Sequence, residues 1–363
     1  MIEENNANVS IDKCDYSYID VNALLAPLGG IGKYVKRGER VLLKVNLLMP
    51  KAPAKAVTTH PAVVNAVARA VLDAGAIPYI ADSPGGPFTK ITLDIGYNRT
   101  GIKKLATELG IELNYDTGSK RVSIPGAKKL KNAPICNYMF QADKIIALPK
   151  LKSHSFQIMT LASKIMFGAI PGLTKAAYHS RFPTRNGFAD MLLDILFFRK
   201  PDLFIMDGVL AMEGNGPNSG PAVEIGLMLA SDNAIALDIA VCNIIGVEPL
   251  GIPVLKKARV REMWPAATSY PLFAPEAVKY QGYKLPSTAE YLVTGKRASR
   301  GKLSPVPMDK CTACGSCEKI CPRSAINIKN DLARVDYSLC IRCYCCHEIC
   351  PEDAIKLEAV HKR

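Results

Sequence analysis

Apolar residues along this chain come in short runs separated by longer amphipathic stretches. Five runs have the length and composition of strands: VLLKVN at 41–46, IPYIAD at 77–82, DKIIALPK at 143–150, DLFIMD at 202–207 and EIGLMLAS at 224–231. Four stretches read as helices. One runs from Pro61 to Ala74, with Pro61 suited to a first turn and Gly75 to the C-terminal cap. The others are TGIKKLATELG at 100–110, FADMLLDILFF at 188–198, and Asp232 to about Ile245. Strands alternating with helices of this size predict an α/β fold, a largely parallel sheet with helices on both faces.

Ligands of open α/β sheets sit beyond the carboxyl ends of the strands. The first run here ends Lys44-Val45-Asn46, and the second ends Asp82-Ser83-Pro84-Gly85-Gly86. The third continues through Lys150-Leu151-Lys152-Ser153-His154. The fourth ends Asp207-Gly208 and leads to Glu213-Gly214-Asn215-Gly216-Pro217. Lys150, Lys152 and His154 alternate, so an extended chain points all three to one face. Lys44 lies inside an apolar run, where an unpaired ammonium is costly.

Some of these residues have plainer readings. Asp82 to Gly85 is good turn chemistry by itself. Gly214 to Pro217 reads equally as a loop, and His60, just before Pro61, suits a helix N-terminus. Their convergence points to a site for an anionic group, with Lys44, Asn46, Ser83, Lys164, Gly214 and Gly216 as binding candidates. The catalytic candidates are His154, His60, Lys150, Lys152, Asp82 and Asp207. Ammonium groups would hold negative charge, an imidazole would supply a proton, and carboxylates would orient both. Lys164, Lys175, His179 and Arg181 extend the basic cluster or form a solvated loop. Nucleotide loops are not indicated. LGGIGKYV at 28–35 lacks the first glycine of a phosphate loop and precedes a strand, and no G-x-G-x-x-G follows one.

Composition and charge narrow the function classes. The chain has 363 residues, 48% hydrophobic and 22% charged, which excludes a disordered or fibrous chain and suggests two domains. The formal net charge is +13. Residues 303–363 carry nine Lys/Arg and eight Asp/Glu, leaving 37 and 25 in the rest of the chain. The excess therefore belongs to the α/β part. It suits an anionic small-molecule substrate or an acidic redox protein partner. The charges are dispersed, with no aromatic-interleaved basic stripe, so nucleic acid is not expected.

Eight of the twelve cysteines form two matching quartets. Cys311, Cys314, Cys317 and Cys321-Pro322 spell C-x2-C-x2-C-x3-C-P, and Cys340, Cys343, Cys346 and Cys350-Pro351 repeat it 29 residues later. Ala325-Ile326 recurs as Ala354-Ile355, so the repeat is a whole half-unit. Three closely spaced cysteines wrap one corner of a cubane, and the fourth reaches the other cluster. The expected ligands are Cys311, Cys314, Cys317 and Cys350 for one [4Fe–4S] cluster, and Cys340, Cys343, Cys346 and Cys321 for the other. Zinc is the alternative, but it favours separated C-x-x-C pairs. Cys345 is surplus and reads as a spare thiol facing away from the cluster. The expected domains are an α/β unit over 1–300 and a small α+β, dicluster ferredoxin-like unit over 301–363.

The block LPKLKSHSFQIMTLASKIMFGAIPGLTKAAYHSRFP at 148–183 is distinctive. With Lys44-Val45-Asn46, Thr59-His60-Pro61, Asp82-Ser83-Pro84 and the cysteine quartets, it resembles the "domain of unknown function 362" family. The resemblance spans essentially the whole chain and implies this architecture and two [4Fe–4S] clusters. One position departs from the family pattern: Ile165 follows Lys164 where asparagine is frequent.

MIEENNANVSIDKC at the start has no basic or apolar leader region, and no apolar run approaches about 18 residues. The expectation is a cytoplasmic protein with no membrane partner. The leading functional expectation is a reductase that passes electrons from the clusters to an anionic substrate at the strand ends. The alternatives are an electron-transfer adaptor docking to a larger redox enzyme, and an assembly factor. The aromatic, proline-rich 250–300 segment is expected to pack the tail on the body or to form a homodimer contact.

Overall fold

The computed structural model describes residues 6–289 and 303–360. The expected domain boundary at 300/301 lies outside the described residues. Nine strands form one sheet: β1 Ser10–Lys13, β2 Arg40–Val45, β3 Ile77–Ala81, β4 Glu112–Leu113, β5 Lys144–Leu148, β6 Lys150–His154, β7 Ile158–Met159, β8 Leu203–Met212 and β9 Ala222–Ser231. Parallel pairing joins β4 to β3, β3 to β2, β2 to β5 and β5 to β8. Beyond Pro149 the chain continues extended as β6, still parallel to β8. Antiparallel additions flank this core: β9 on β8, β1 on β9 and β7 on β6. The fourth and fifth runs have no helix between them, so they can close as a hairpin rather than cross over.

The main helices are α1 Pro61–Asp73, α2 Lys90–Arg99, α3 Ile102–Leu109, α4 Leu161–Lys164, α5 Thr174–Arg181, α6 Arg185–Phe198 and α7 Ala234–Ile244. Alternate residues of a strand face opposite sides, and the core divides accordingly. Val41, Leu43, Val45, Ile80 and Ile146 pack with α1 and α3 through Val63, Val67 and Leu105. Leu42, Tyr79, Ala81, Ile145 and Ala147 belong to the other face, with Phe188, Leu192, Ile235 and Ala240 of α6 and α7. The sheet is thus covered on both sides, as parallel strands require. The 100–110 prediction omitted α2, whose periodicity is weak because Ile91 and Ile95 are exposed. In the 250–289 stretch, Trp264, Tyr270, Phe273 and Tyr280 pack on the body, and the Tyr283 hydroxyl donates to Met212 O at 2.6 Å. The rest of that segment lies outside the described residues.

The tail contains β10 Leu303–Pro307 paired antiparallel with β13 Ile355–Ala359, the hairpin β11 Ile326–Lys329 with β12 Leu332–Val335, and helices α8 Ser316–Ile320 and α9 Cys345–Ile349. The repeat seen in the sequence is kept in the backbone. Ala313, Gly315 and Ser324 have positive φ, and so do their counterparts 29 residues on, Arg342, Tyr344 and Asp353. Left-handed residues are costly outside glycine. Here they recur at matching positions of the two half-units, so the two cysteine segments share one backbone course.

The loop at 214–219 docks this tail on the body. Asn218 Nδ2 donates to Cys350 O at 3.2 Å, Ser219 Oγ donates to Asp353 Oδ1 at 2.8 Å, and His347 Nε2 lies 3.0 Å from Asn215 O. From the other side Lys51 Nζ donates to Pro351 O at 2.7 Å. Gly214 and Gly216 were expected to bind ligand, but they shape this docking loop. Gly216 N donates to Ser153 Oγ at 3.2 Å, and a Cβ there would overlap Ser153 O.

Candidate functional site

The cysteines of the tail line two cavities. Cys311, Cys314, Cys317 and Cys350 line one cavity of the tail, and Cys321, Cys340, Cys343 and Cys346 line another. The fourth cysteine of each quartet crosses to the other cavity, as the spacing requires. Among the described residues, no three His, Cys, Asp or Glu side chains converge on a single-ion position. Four cysteines of the repeat around each cavity match the four thiolate ligands of a cubane, so the donor set fits two [4Fe–4S] clusters. Cys314 is exposed, so the first centre is the outer one. The second centre's loop packs on the body, with Cys343 and Cys345 against Ala176 of α5. Cys345 does not face away: it lines the second cluster cavity and also the body cavity described next.

The strand-end residues separate into two groups. In the first, Lys150 Nζ is 2.7 Å from Asp207 Oδ2, and both side chains are fully buried. Tyr16 OH donates to Asp207 Oδ1 at 2.8 Å, and His60 N donates to Asp207 Oδ2 at 2.9 Å. His60 caps α1, its Nδ1 accepting from Ala62 N, and its ring stacks on Tyr16 with centroids 3.6 Å apart. Burial lowers its pKa to about 4. This group is internally saturated and ties β6 to β8.

The second group surrounds a cavity of about 50 Å³ where β2, β3, α4 and α5 meet tail helix α9. Lys164, Lys175, His179, Cys345 and Glu348 line it together with Leu48, Met49, Ile320 and Ile349. Lys175 Nζ is held by Ser83 O at 3.0 Å, Ser83 Oγ at 2.9 Å and Pro84 O at 3.1 Å. Desolvation lowers its pKa to about 7. Lys164 is likewise shifted down by burial, opposed by Glu348, and its Nζ lies 5.2 Å from the centre of the Phe167 ring. Its amine has no acceptor among the described residues. Glu348, from the tail, is raised to about 7 by desolvation. Phe156, Phe167 and Phe188 surround His179. Burial lowers that imidazole to about 3, and its Nδ1 is buried without a hydrogen-bond partner among the described residues.

His154 stands behind Glu348, with Nε2 3.5 Å from Glu348 Oε1. Its Nδ1 accepts from Phe156 N and Gln157 N, so the ring proton belongs on Nε2, and among the described residues neither Nε2 nor Glu348 Oε1 has a hydrogen-bond partner. Lys152 Nζ donates to Asn46 Oδ1 at 3.1 Å and to Val57 O at 2.5 Å. It pairs with no carboxylate, and burial takes its pKa far down. Lys44 Nζ binds Asp82 Oδ1 at 2.6 Å, and Leu47 N donates to Asp82 Oδ2 at 2.7 Å. Gly168 of the Lys164-Ile165-Met166-Phe167-Gly168 turn lies against this pair, and a Cβ there would overlap both Asp82 Oδ1 and Lys44 Nζ. Gly168→Ala is therefore expected to force the pair apart and lower the thermal midpoint by several degrees. Scanning calorimetry of the cluster-loaded protein checks this, and an unchanged midpoint would contradict the packing.

The sequence pattern missed Glu348, Tyr16 and the role of Cys345. Glu348 sits among cluster cysteines, where nothing in the sequence points to the body.

An α/β body bearing a two-cluster ferredoxin-type tail defines an iron–sulfur protein. The chain belongs to the family described as Domain of unknown function (DUF362), whose model matches residues 41–243. The 4Fe-4S binding domain matches twice, at 305–327 and 333–356. The chain is 36% identical over 270 residues to "Thylakoid-associated protein sll1697" of Synechocystis sp. (strain ATCC 27184 / PCC 6803 / Kazusa), covering 73% of this chain and 82% of that protein. Among solved structures it is similar to the lactate racemase apoprotein from Thermoanaerobacterium thermosaccharolyticum, with 14% identity and a TM-score of 0.40. That similarity covers 63% of this chain and 54% of the racemase, about half its length. Among the described residues, no helix is long and apolar enough to cross a membrane.

Proposed function

We propose that this protein is a reductase that binds a small anion in the cavity between the body and α9. The observation that carries this reading is the position of Lys164. Its amine lines a cavity that shares Cys345 with the second cluster site, and no acceptor among the described residues engages it. When bound, the clusters supply single electrons. Lys164 holds the anion, and Lys175 adds positive charge from a position fixed by Ser83 and Pro84. His154 lies beside the Glu348 carboxyl, which stands at the cavity as the group able to hold and release a proton. The aromatic rings around His179 and the tail helix exclude water. An acidic redox protein fits as the electron donor, since the basic excess lies on the body.

Lys164→Met is expected to abolish binding of acetate and inorganic phosphate, measured by calorimetry on anaerobically purified protein. Iron should stay at about eight atoms per chain. Unchanged anion binding would sink the reading. Binding by the unaltered protein should also weaken as pH rises through about 7. Lys175, with its pKa depressed to about 7, loses its charge above that pH. That change acts against an anion.

A further inference from the structure

Outside the cavity lies an open groove of about 450 Å³ between α5 of the body and α8 of the tail. Leu173, Ala177, Ser180 and Arg181 line one side, and Lys319, Cys321 and Pro322 the other. Groove and cavity share two lining residues, Ala176 and Ile320. These two side chains, one from the body and one from the tail, belong to one buried apolar cluster, so the boundary shared by groove and cavity is apolar. Arg181 and Lys319 face the same space, and among the described residues no carboxylate lines the groove. Like charges directed at one space from two separate elements favour an anion there. Leu173 is 47% exposed at the same place, giving the groove an apolar surface as well.

From this we infer that the ligand is an elongated molecule with two anionic groups, carboxylate or phosphate. One group enters the cavity at Lys164. The apolar middle passes Ala176 and Ile320, and the second group is held in the groove by Arg181 and Lys319. This inference rests on the reading of the cavity as an anion site. Helix α5 sets the scale: Lys175 and Arg181 are six residues apart, about 9 Å along the axis. A compact anion fills only the inner site, and a chain with charges at both ends fills both.

The test compares octanoate with octanedioate on anaerobically purified, cluster-loaded protein by calorimetry. Octanedioate is expected to bind about tenfold more tightly, the contribution of one added charge-assisted contact. Arg181→Gln, together with Lys319→Gln, should remove that advantage and leave octanoate affinity unchanged. Both residues are exposed, so the variants should fold. Equal binding of the two ligands, or a dianion advantage that survives both substitutions, would overturn the inference. So would variants that change only the cluster midpoint potential, because the cations would then serve the cluster charge rather than a ligand. Failure of octanoate itself to bind would instead bring down the cavity reading, and Lys164→Met on octanoate separates the two cases.

Discussion

Asp207→Ala is expected to destabilise the β6–β8 region by about 3–5 kcal/mol, the typical cost of stripping a buried charge of its partner. Asp207 and Lys150 are 2.7 Å apart and neither side chain reaches solvent. Asp207 also accepts from Tyr16 OH and His60 N, so its loss leaves three donors short of an acceptor. Lys150 would keep only the Tyr16 hydroxyl, at 2.9 Å. Lys152, two residues on, should behave differently. It has no carboxylate to lose, and its burial already disfavours the charged form. Replacing such a group by an apolar side chain of similar length is often neutral or stabilising. Lys152→Met is therefore expected to change stability by less than about 1.5 kcal/mol, since two hydrogen bonds go but a desolvated amine goes with them. Hydrogen exchange across Leu203–Met212 separates the variants without depending on cluster unfolding. Equal loss of protection in both would contradict the assignment of Lys150 to a structural pair.

What the sequence disclosed follows from how local each signal is. The cluster ligands were legible because their spacing is itself the geometry, and the crossed fourth cysteine follows from that spacing. The strands were legible because VLLKVN and DLFIMD are short apolar runs of strand length, as buried strands are. Lys44, Asp82, Lys150 and Asp207 stood out as charges at apolar strand ends, but their pairing did not. Nothing local says that Lys44 meets Asp82 while Lys152 meets only Asn46 and Val57. The cavity was half visible. Lys164, Lys175 and His179 lie in one readable block, while Glu348, Cys345 and Ile320 come from the tail and join them only by docking. The loop at Gly214–Pro217 drew attention for its glycines, but its task is carried by Asn215, Asn218 and Ser219, which hold the tail in place.

That docking makes the cluster cysteines responsible for more than iron. Cys350→Ala is expected to remove the outer cluster, halving iron to about four atoms per chain, and also to loosen the tail from the body. The contacts that hold the tail cluster around this residue. Cys350 O accepts from Asn218, Pro351 O accepts from Lys51, and Asp353 accepts from Ser219. The tail's own apolar core is small, built on residues such as Ile326, Ala333, Ala354 and Ile355 with the cysteines themselves. Such a unit depends on its metal for folding. Losing the outer cluster should therefore raise hydrogen exchange at residues 48–49 and 215–219 of the body, although none of them is a ligand. Cys345→Ala supplies the control. Cys345 is buried beside the second centre, but the repeat does not require it, so iron should remain near eight and exchange unchanged. Iron loss in Cys345→Ala would make it a ligand in place of one of the eight. Full retention of protection in Cys350→Ala would mean that the tail docks and folds without its outer cluster, and the cavity wall contributed by α9 would then stand independently of iron.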